Sequence, residues 1–159
     1  MRELSGSAAA AGCRFAIIVS RFNEAITAGL LKGAQTVLAE AGTQDDHLTI
    51  VHVPGAWEIP VVAQRLAEAG AADAIICLGC LIKGETMHFE YIADAVSSGI
   101  ARAAAATGVP MAFGVLTTLT EAQAVERAGD GPGNKGREAA LAAVEMATLF
   151  RRLDDGSAT

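Results

Sequence analysis

Four short segments hold most of the residues in this chain that are suited to chemistry. They are Ser20-Arg21-Phe22-Asn23, Pro54-Gly55-Ala56-Trp57-Glu58, Gly79-Cys80-Leu81-Ile82-Lys83-Gly84-Glu85-Thr86-Met87-His88 and Thr117-Thr118-Leu119-Thr120. In the third, Gly84-Glu85-Thr86 reads as the opening of a helix. Free N–H groups at a helix start, aided by the dipole, favour an anion, and Gly84 lets the backbone come close. The carboxylate of Glu85 repels a phosphate, so the expected contact runs through its N–H. An ordinary glycine-containing turn fits the same residues, about twice as readily on local sequence alone. His88 follows in the first helical turn, where the positive end of the dipole disfavours imidazolium and favours a neutral base. Such a base moves protons for a ligand held at the adjacent turn. A lone histidine at a helix start is more often a surface or capping residue. His47 and His52 have no comparable neighbours and read as structural.

Two literal motif matches fail on context. Gly131-Pro132-Gly133-Asn134-Lys135-Gly136 matches G-x-G-x-x-G but follows a helical stretch where the dinucleotide fingerprint needs a strand. It fails as a P-loop as well, because Asn134 stands where a glycine should precede the lysine. Cys77-Leu78-Gly79-Cys80 matches C-x-x-C, yet no second ligand pair accompanies it and the motif does not open a helix after the first strand. Burial in a strand is the better reading of Cys77. Arg127 and Lys135 flank the glycine-rich connection, and on composition alone they are solvated helix-end residues.

The elements that must position these segments follow from the hydrophobic pattern. Four apolar runs, 15–19, 48–53, 74–78 and 111–116, predict strands. Three are nearly continuous in apolar character, as in strands covered on both faces of a parallel sheet. The run with Thr49 and His52 is expected at an edge. Helices are expected over 24–41, 58–69, about 88–107, 121–128 and about 135–152, with Gly42, Gly70 and Gly108 as stops. The order β-α-β-α-β-α-β-α-α with right-handed crossovers gives an α/β fold: a three-layer α/β/α sandwich on a four-stranded parallel sheet, flavodoxin-like. In such sheets ligands bind beyond the carboxyl ends of the strands, where the four segments lie. One domain is expected over 13–153, with flexible segments at 1–12 and 154–159.

Composition narrows the function classes. The chain has 159 residues, 52% hydrophobic but only 4% aromatic, and about a fifth of it is alanine. That rules out disorder and implies a core of small side chains in close approach. A net charge of −6 argues against nucleic-acid binding. No apolar run is long enough to span a membrane. Three cysteines without an export signal imply a reduced, cytoplasmic protein.

Taken in order, Ser20-Arg21-Phe22-Asn23, Val53-Pro54-Gly55-Ala56-Trp57-Glu58-Ile59-Pro60, Ile82-Lys83-Gly84-Glu85-Thr86-Met87-His88-Phe89-Glu90-Tyr91, Phe113-Gly114-Val115-Leu116-Thr117 and Gly133-Asn134-Lys135-Gly136 strongly resemble the lumazine synthase family. The resemblance runs from about Arg14 to Arg152. It implies a transferase that condenses 5-amino-6-(D-ribitylamino)uracil with 3,4-dihydroxy-2-butanone 4-phosphate, in the penultimate step of riboflavin biosynthesis, without metal or organic cofactor. It further implies that Phe22 stacks on the pyrimidine, that Ala56, Trp57 and Glu58 hold the ring and ribityl chain, and that the backbone of Cys80, Leu81 and Ile82 reads the pyrimidine edge. Glu85 and Thr86 would hold the phosphate, Arg127 would pair with it, and His88 would transfer protons. Phe113 would close over the pyrimidine, with Lys135 nearby. Family pockets lie between adjacent subunits, so Phe113, Arg127 and Lys135 would come from a neighbour. A homo-oligomer is implied, a pentamer or a 60-subunit icosahedral shell, with riboflavin synthase as a candidate partner. Position 56 is Ala where relatives often have Ser, and Lys83 stands for a frequent Arg. The competing readings are a non-catalytic shell protein and a flavodoxin-like flavin or nucleotide binder.

Overall fold

The run Phe15–Ser20, FAIIVS, is buried at every position and forms the strand β1 of a computed structural model that describes residues 1–156. Side chains alternate across it: Phe15, Ile17 and Val19 enter one core layer, Ala16 and Ile18 the other. A strand covered on both faces has no use for polar residues, which explains its unbroken apolar run.

Eight further regular elements follow: α1 (Glu24–Glu40), β2 (Leu48–Val53), α2 (Ile59–Glu68), β3 (Ala74–Ile82), α3 (His88–Thr107), β4 (Met111–Thr118), α4 (Glu121–Ala128) and α5 (Lys135–Asp154). Short 3-10 turns, Asp45–His47 and Ala56–Glu58, precede β2 and α2. The four strands form one parallel sheet in the order β2-β1-β3-β4. Helices α1, α4 and α5 cover one face, and α2 and α3 cover the other. The expected three-layer α/β/α sandwich is therefore present, with β2 at an edge as its Thr49 and His52 imply.

Several boundaries differ from the sequence reading. β3 runs on from Leu78 through Gly79-Cys80-Leu81-Ile82, because β4 also extends to Thr118 and pairs with it residue for residue. The segment Gly84-Glu85-Thr86 does not open α3 but forms a bend ahead of it, with Met87 as the N-cap. Phe113 is the third residue of β4 and pairs with Cys77, so it sits in the strand's first half.

The segment 1–12, expected as flexible, is packed from Ser5 onward. Ser7 N–H donates to Thr148 Oγ1 at 2.7 Å, Arg152 donates to the Ser5 carbonyl at 2.7 Å, and Ala10 is buried. Side-chain hydroxyl and guanidinium groups of α5 supply partners that composition could not reveal. The expected C-terminal tail begins inside α5 at Asp154, and its residues 157–159 lie outside the described residues.

Small residues set the spacing between α1 and α5. A Cβ at Gly136 would meet the Leu30 backbone carbonyl, and one at Gly33 would meet the Asn134 side chain. Ala34, Ala139, Ala140, Ala143 and Ala147 fill the rest of that layer. α3 stops where Gly108 takes a left-handed φ of 71°, a conformation that costs a residue without Cβ nothing.

Candidate active site

The chain order of the sheet reverses between β1 and β3, and open parallel sheets bind ligands at the carboxyl end of that switch point. A cavity of about 480 Å³ lies there. The connection after β1 contributes Phe22. That after β2 contributes Pro54, Gly55, Ala56, Trp57 and Glu58. The end of β3 and the start of α3 contribute Leu81, Ile82, Gly84, Thr86, His88, Phe89 and Ile92.

Hydrogen bonds beyond the strand ends fix these pieces. Arg21 N–H donates to the Val53 carbonyl at 2.8 Å and Phe22 N–H to the Pro54 carbonyl at 3.0 Å, so the β1–β2 ladder continues into the site. Asn23 then takes a left-handed φ of 60°, turns the chain into α1, and donates from Nδ2 to the Cys80 carbonyl at 3.0 Å. Gly55 N–H donates to Glu58 Oε2 at 2.9 Å, which holds the carboxylate against its own turn.

The two rings at the mouth are unusually exposed for their size. Phe22 is 68% exposed and Trp57 60%. Neither is needed to fill the core, so both are free to lie against a ligand. Ala56 is the opposite case: it lines the cavity but is buried, packed in the core layer under α2 and α3.

β3 outruns β1 here. Its pairing with β1 ends at Leu78, whereas pairing with β4 continues to Ile82. Backbone groups alternate in direction along a strand. The Cys80 carbonyl faces Asn23 on the β1 side, so the N–H and C=O of Ile82 face that side too, past the end of β1. A short stretch of strand edge is left open toward the cavity. The Cys80 thiol points away into the core under α1, and burial pushes it up to about 11, an effect only partly offset by Asn23.

Glu58, Thr86 and His88 are the polar side chains in a largely apolar lining. His88 is the first residue of α3 and is exposed. Glu85 is exposed but does not line the cavity.

Phe113, Arg127 and Lys135 are brought together elsewhere. They line a hollow of about 220 Å³ with residues 114–118, along the free edge of β4. Arg127 is held by its Nη1 donating to the Gln123 carbonyl at 2.9 Å, and Lys135 pairs with Glu138 at 2.7 Å. The two hollows share no lining residue. Within one chain the predicted site residues thus fall into two groups, with Cys80 and Glu85 lining neither hollow.

Sequence reasoning missed Phe89 and Ile92 as cavity walls and Asn23 as the link between β1 and β3. The first two carry a signal, since residues 88 and 92 share a helix face. Asn23 carries a weaker one, a residue type that tolerates left-handed φ just before a helix.

Among the described residues, no group of three or more His, Cys, Asp or Glu could hold a metal ion, and no helix is long and apolar enough to cross a membrane. Residues 12–151 match the family model of 6,7-dimethyl-8-ribityllumazine synthase. A curated protein of that name from Salinibacter ruber (strain DSM 13855 / M31) is 52% identical over 152 residues, covering 96% of this chain and 97% of the relative.

Proposed function

Since the chain belongs to the 6,7-dimethyl-8-ribityllumazine synthase family, and is a transferase of riboflavin biosynthesis, we propose that each of its active sites joins the larger hollow of one copy to the β4-edge hollow of a neighbour. The reaction joins 5-amino-6-(D-ribitylamino)uracil to 3,4-dihydroxy-2-butanone 4-phosphate. The pyrimidine lies on Phe22, with Trp57 and the backbone of Ala56 against the ring and ribityl chain and Glu58 accepting from ribityl hydroxyls. At the end of the segment Cys80-Leu81-Ile82 the open strand edge presents the N–H and C=O of Ile82 side by side, a donor and an acceptor that suit the amide-like edge of a pyrimidine. The phosphate sits at the Glu85 and Thr86 backbone and the Thr86 hydroxyl, completed by Arg127 of a neighbouring subunit. Phe113 and Lys135 of the same neighbour close the pocket.

The chemistry then needs protons moved beside a bound dianion. The pyrimidine's 5-amino nitrogen attacks the ketone carbon, and loss of water leaves an imine. A proton leaves the adjacent carbon as the C–O bond to phosphate breaks. The enol so formed takes up a proton at its terminal carbon and becomes a ketone; the ribitylamino nitrogen attacks that carbonyl, and a second water departs with ring closure. His88, one helical step from the phosphate turn, takes and returns these protons. Bound amides and the Arg127 guanidinium stabilise the departing phosphate as its charge grows.

The observation that carries this reading is the division of the site residues. Phe22, Trp57, Thr86 and His88 share one cavity, and Phe113, Arg127 and Lys135 share another on an open sheet edge. A residue set that is complete in type but split in space is explained by association of copies, each lending its β4 edge to the next. A pentamer, or a 60-subunit shell built from pentamers, is the expected assembly, in a cytoplasmic setting with riboflavin synthase as a candidate partner. Mixing the purified protein with both substrates and following lumazine absorbance and fluorescence tests the reading. A rate no greater than the spontaneous condensation refutes it. Light scattering distinguishes pentamer from shell.

A further inference from the structure

We propose that Lys83 and Glu90 form a clasp across the phosphate turn and are positioning residues for the phosphate substrate. The proposal rests on the assignment of Gly84–Thr86 as that turn. Lys83 Nζ lies 3.3 Å from Glu90 Oε1. Between these residues the chain leaves β3, bends through Glu85 and Thr86, and enters α3. Residues 84–88 are all exposed, and a Cβ built on Gly84 meets nothing within 4 Å. The bend therefore has almost no packing of its own to hold its shape.

Its two ends are held instead. Lys83 N–H donates to the Thr118 carbonyl at 2.9 Å, so the backbone of Lys83 is the last rung of the β3–β4 ladder. Glu90 lies in the first turn of α3, which begins with Tyr91 N–H donating to the Met87 carbonyl at 3.3 Å. The ion pair joins the sheet end to the helix start and closes the bend into a short ring. Within that ring the amides of Glu85 and Thr86 are restricted in direction, and His88 keeps its place beside them.

Stability alone does not explain the pair. Its side chains are 48% and 42% exposed, and exposed ion pairs add little to folding. Glu90 Oε2 is buried without a hydrogen-bond partner among the described residues, which costs stability. A carboxylate placed at a net cost to the fold beside a binding turn is suited to fixing geometry.

The alternative role for Lys83 is direct contact with the phosphate, and the two roles predict opposite effects of Glu90→Gln. The probe is inhibition by inorganic phosphate, measured with KM for each substrate separately. Under the clasp, Lys83→Met and Glu90→Gln each weaken phosphate inhibition and raise KM for the butanone phosphate by about three- to tenfold, and leave KM for the pyrimidine unchanged. The double variant is no worse than either single one, because both break the same link. Lys83→Arg keeps the wild-type values. If Glu90→Gln tightens phosphate binding, Lys83 is a direct ligand and the clasp is wrong. Unchanged inhibition in both variants also overturns it. Thr86→Val separates the two levels: if it too leaves inhibition unchanged, the phosphate turn itself is misassigned, whereas a loss confined to Thr86→Val refutes the clasp alone. Unaltered circular dichroism and melting in Glu90→Gln exclude misfolding as the cause.

Discussion

Asn23 Nδ2 donates to the carbonyl of Cys80 at 3.0 Å, linking the last turn before α1 to the part of β3 that β1 no longer covers. The bond depends on a left-handed backbone at Asn23, with φ of 60°, which most residues adopt only at a cost. Asn23→Ala should therefore lose about 1–2 kcal/mol of stability in urea unfolding and raise KM for the pyrimidine. Asn23→Gly keeps the backbone but not the bond. It should regain most of the stability while KM stays high. Equal stability of the Ala and Gly variants would contradict this account.

Phe22→Ala separates binding from folding. The ring is mostly exposed, so its removal should leave the melting temperature within about a degree or two. Loss of stacking should weaken binding of a pyrimidine analogue by about 1–3 kcal/mol, on the scale of base–aromatic contacts. Calorimetric titration beside thermal melting reads both. A large fall in melting temperature would mean that the ring supports the fold.

Sharing of the site between copies has a direct test. His88→Ala and Arg127→Ala each disable a different hollow, and each alone should be nearly inactive. Unfolded together, refolded and mixed in equal amounts, they should recover activity in about one quarter of the sites, those with both contributions intact. No recovery from a mixture that has co-assembled would place Arg127 and His88 in separate functions.

The buried thiols set an alkaline limit. Burial raises Cys80 to about 11 and Cys77 to about 12, from an ordinary value of 9.0. Between these values the folded chain binds more protons than the unfolded one, so stability falls as pH rises. The contribution is full below pH 9.0 and is lost through about 11 to 12. The urea midpoint should decline over that range, and Cys77→Ala should flatten the decline while lowering the midpoint at pH 7. Thiol reagents should react at pH 8 only after unfolding. Rapid modification of all three cysteines in the folded state would refute the burial.

Much of this arrangement is readable in the residues, for identifiable reasons. The run Phe15–Ser20 announces a two-sided strand because nothing polar is tolerated there, and Gly108 announces a helix stop because its φ is left-handed. The position of Phe113 is not readable, because a strand's apolar run says nothing of its register, and only the pairing with Cys77 fixes it. The extension of β3 to Ile82 was hidden for a related reason. Gly79 and Cys80 look like a turn until β4 is laid beside them. The docking of residues 5–12 rests on bonds to Ala41, Thr148, Arg151 and Arg152 and on burial of Ala10, all with partners far away in sequence. The link from Asn23 to Cys80 likewise joins residues far apart in sequence, across neighbouring strands, and leaves no local pattern.

The contact between α1 and α5 has a consequence for how this sequence can change. Gly33 and Gly136 carry no side chain, and the alanines beside them carry only a methyl. A leucine-filled layer can drift in either direction, shrinking at one site and swelling at another. Here every substitution at a glycine adds volume against a backbone or a buried amide, and compensation must come from the neighbour moving away. The seam admits change in one direction only, so the strands and loops above it are free to vary while the spacing beneath them stays fixed.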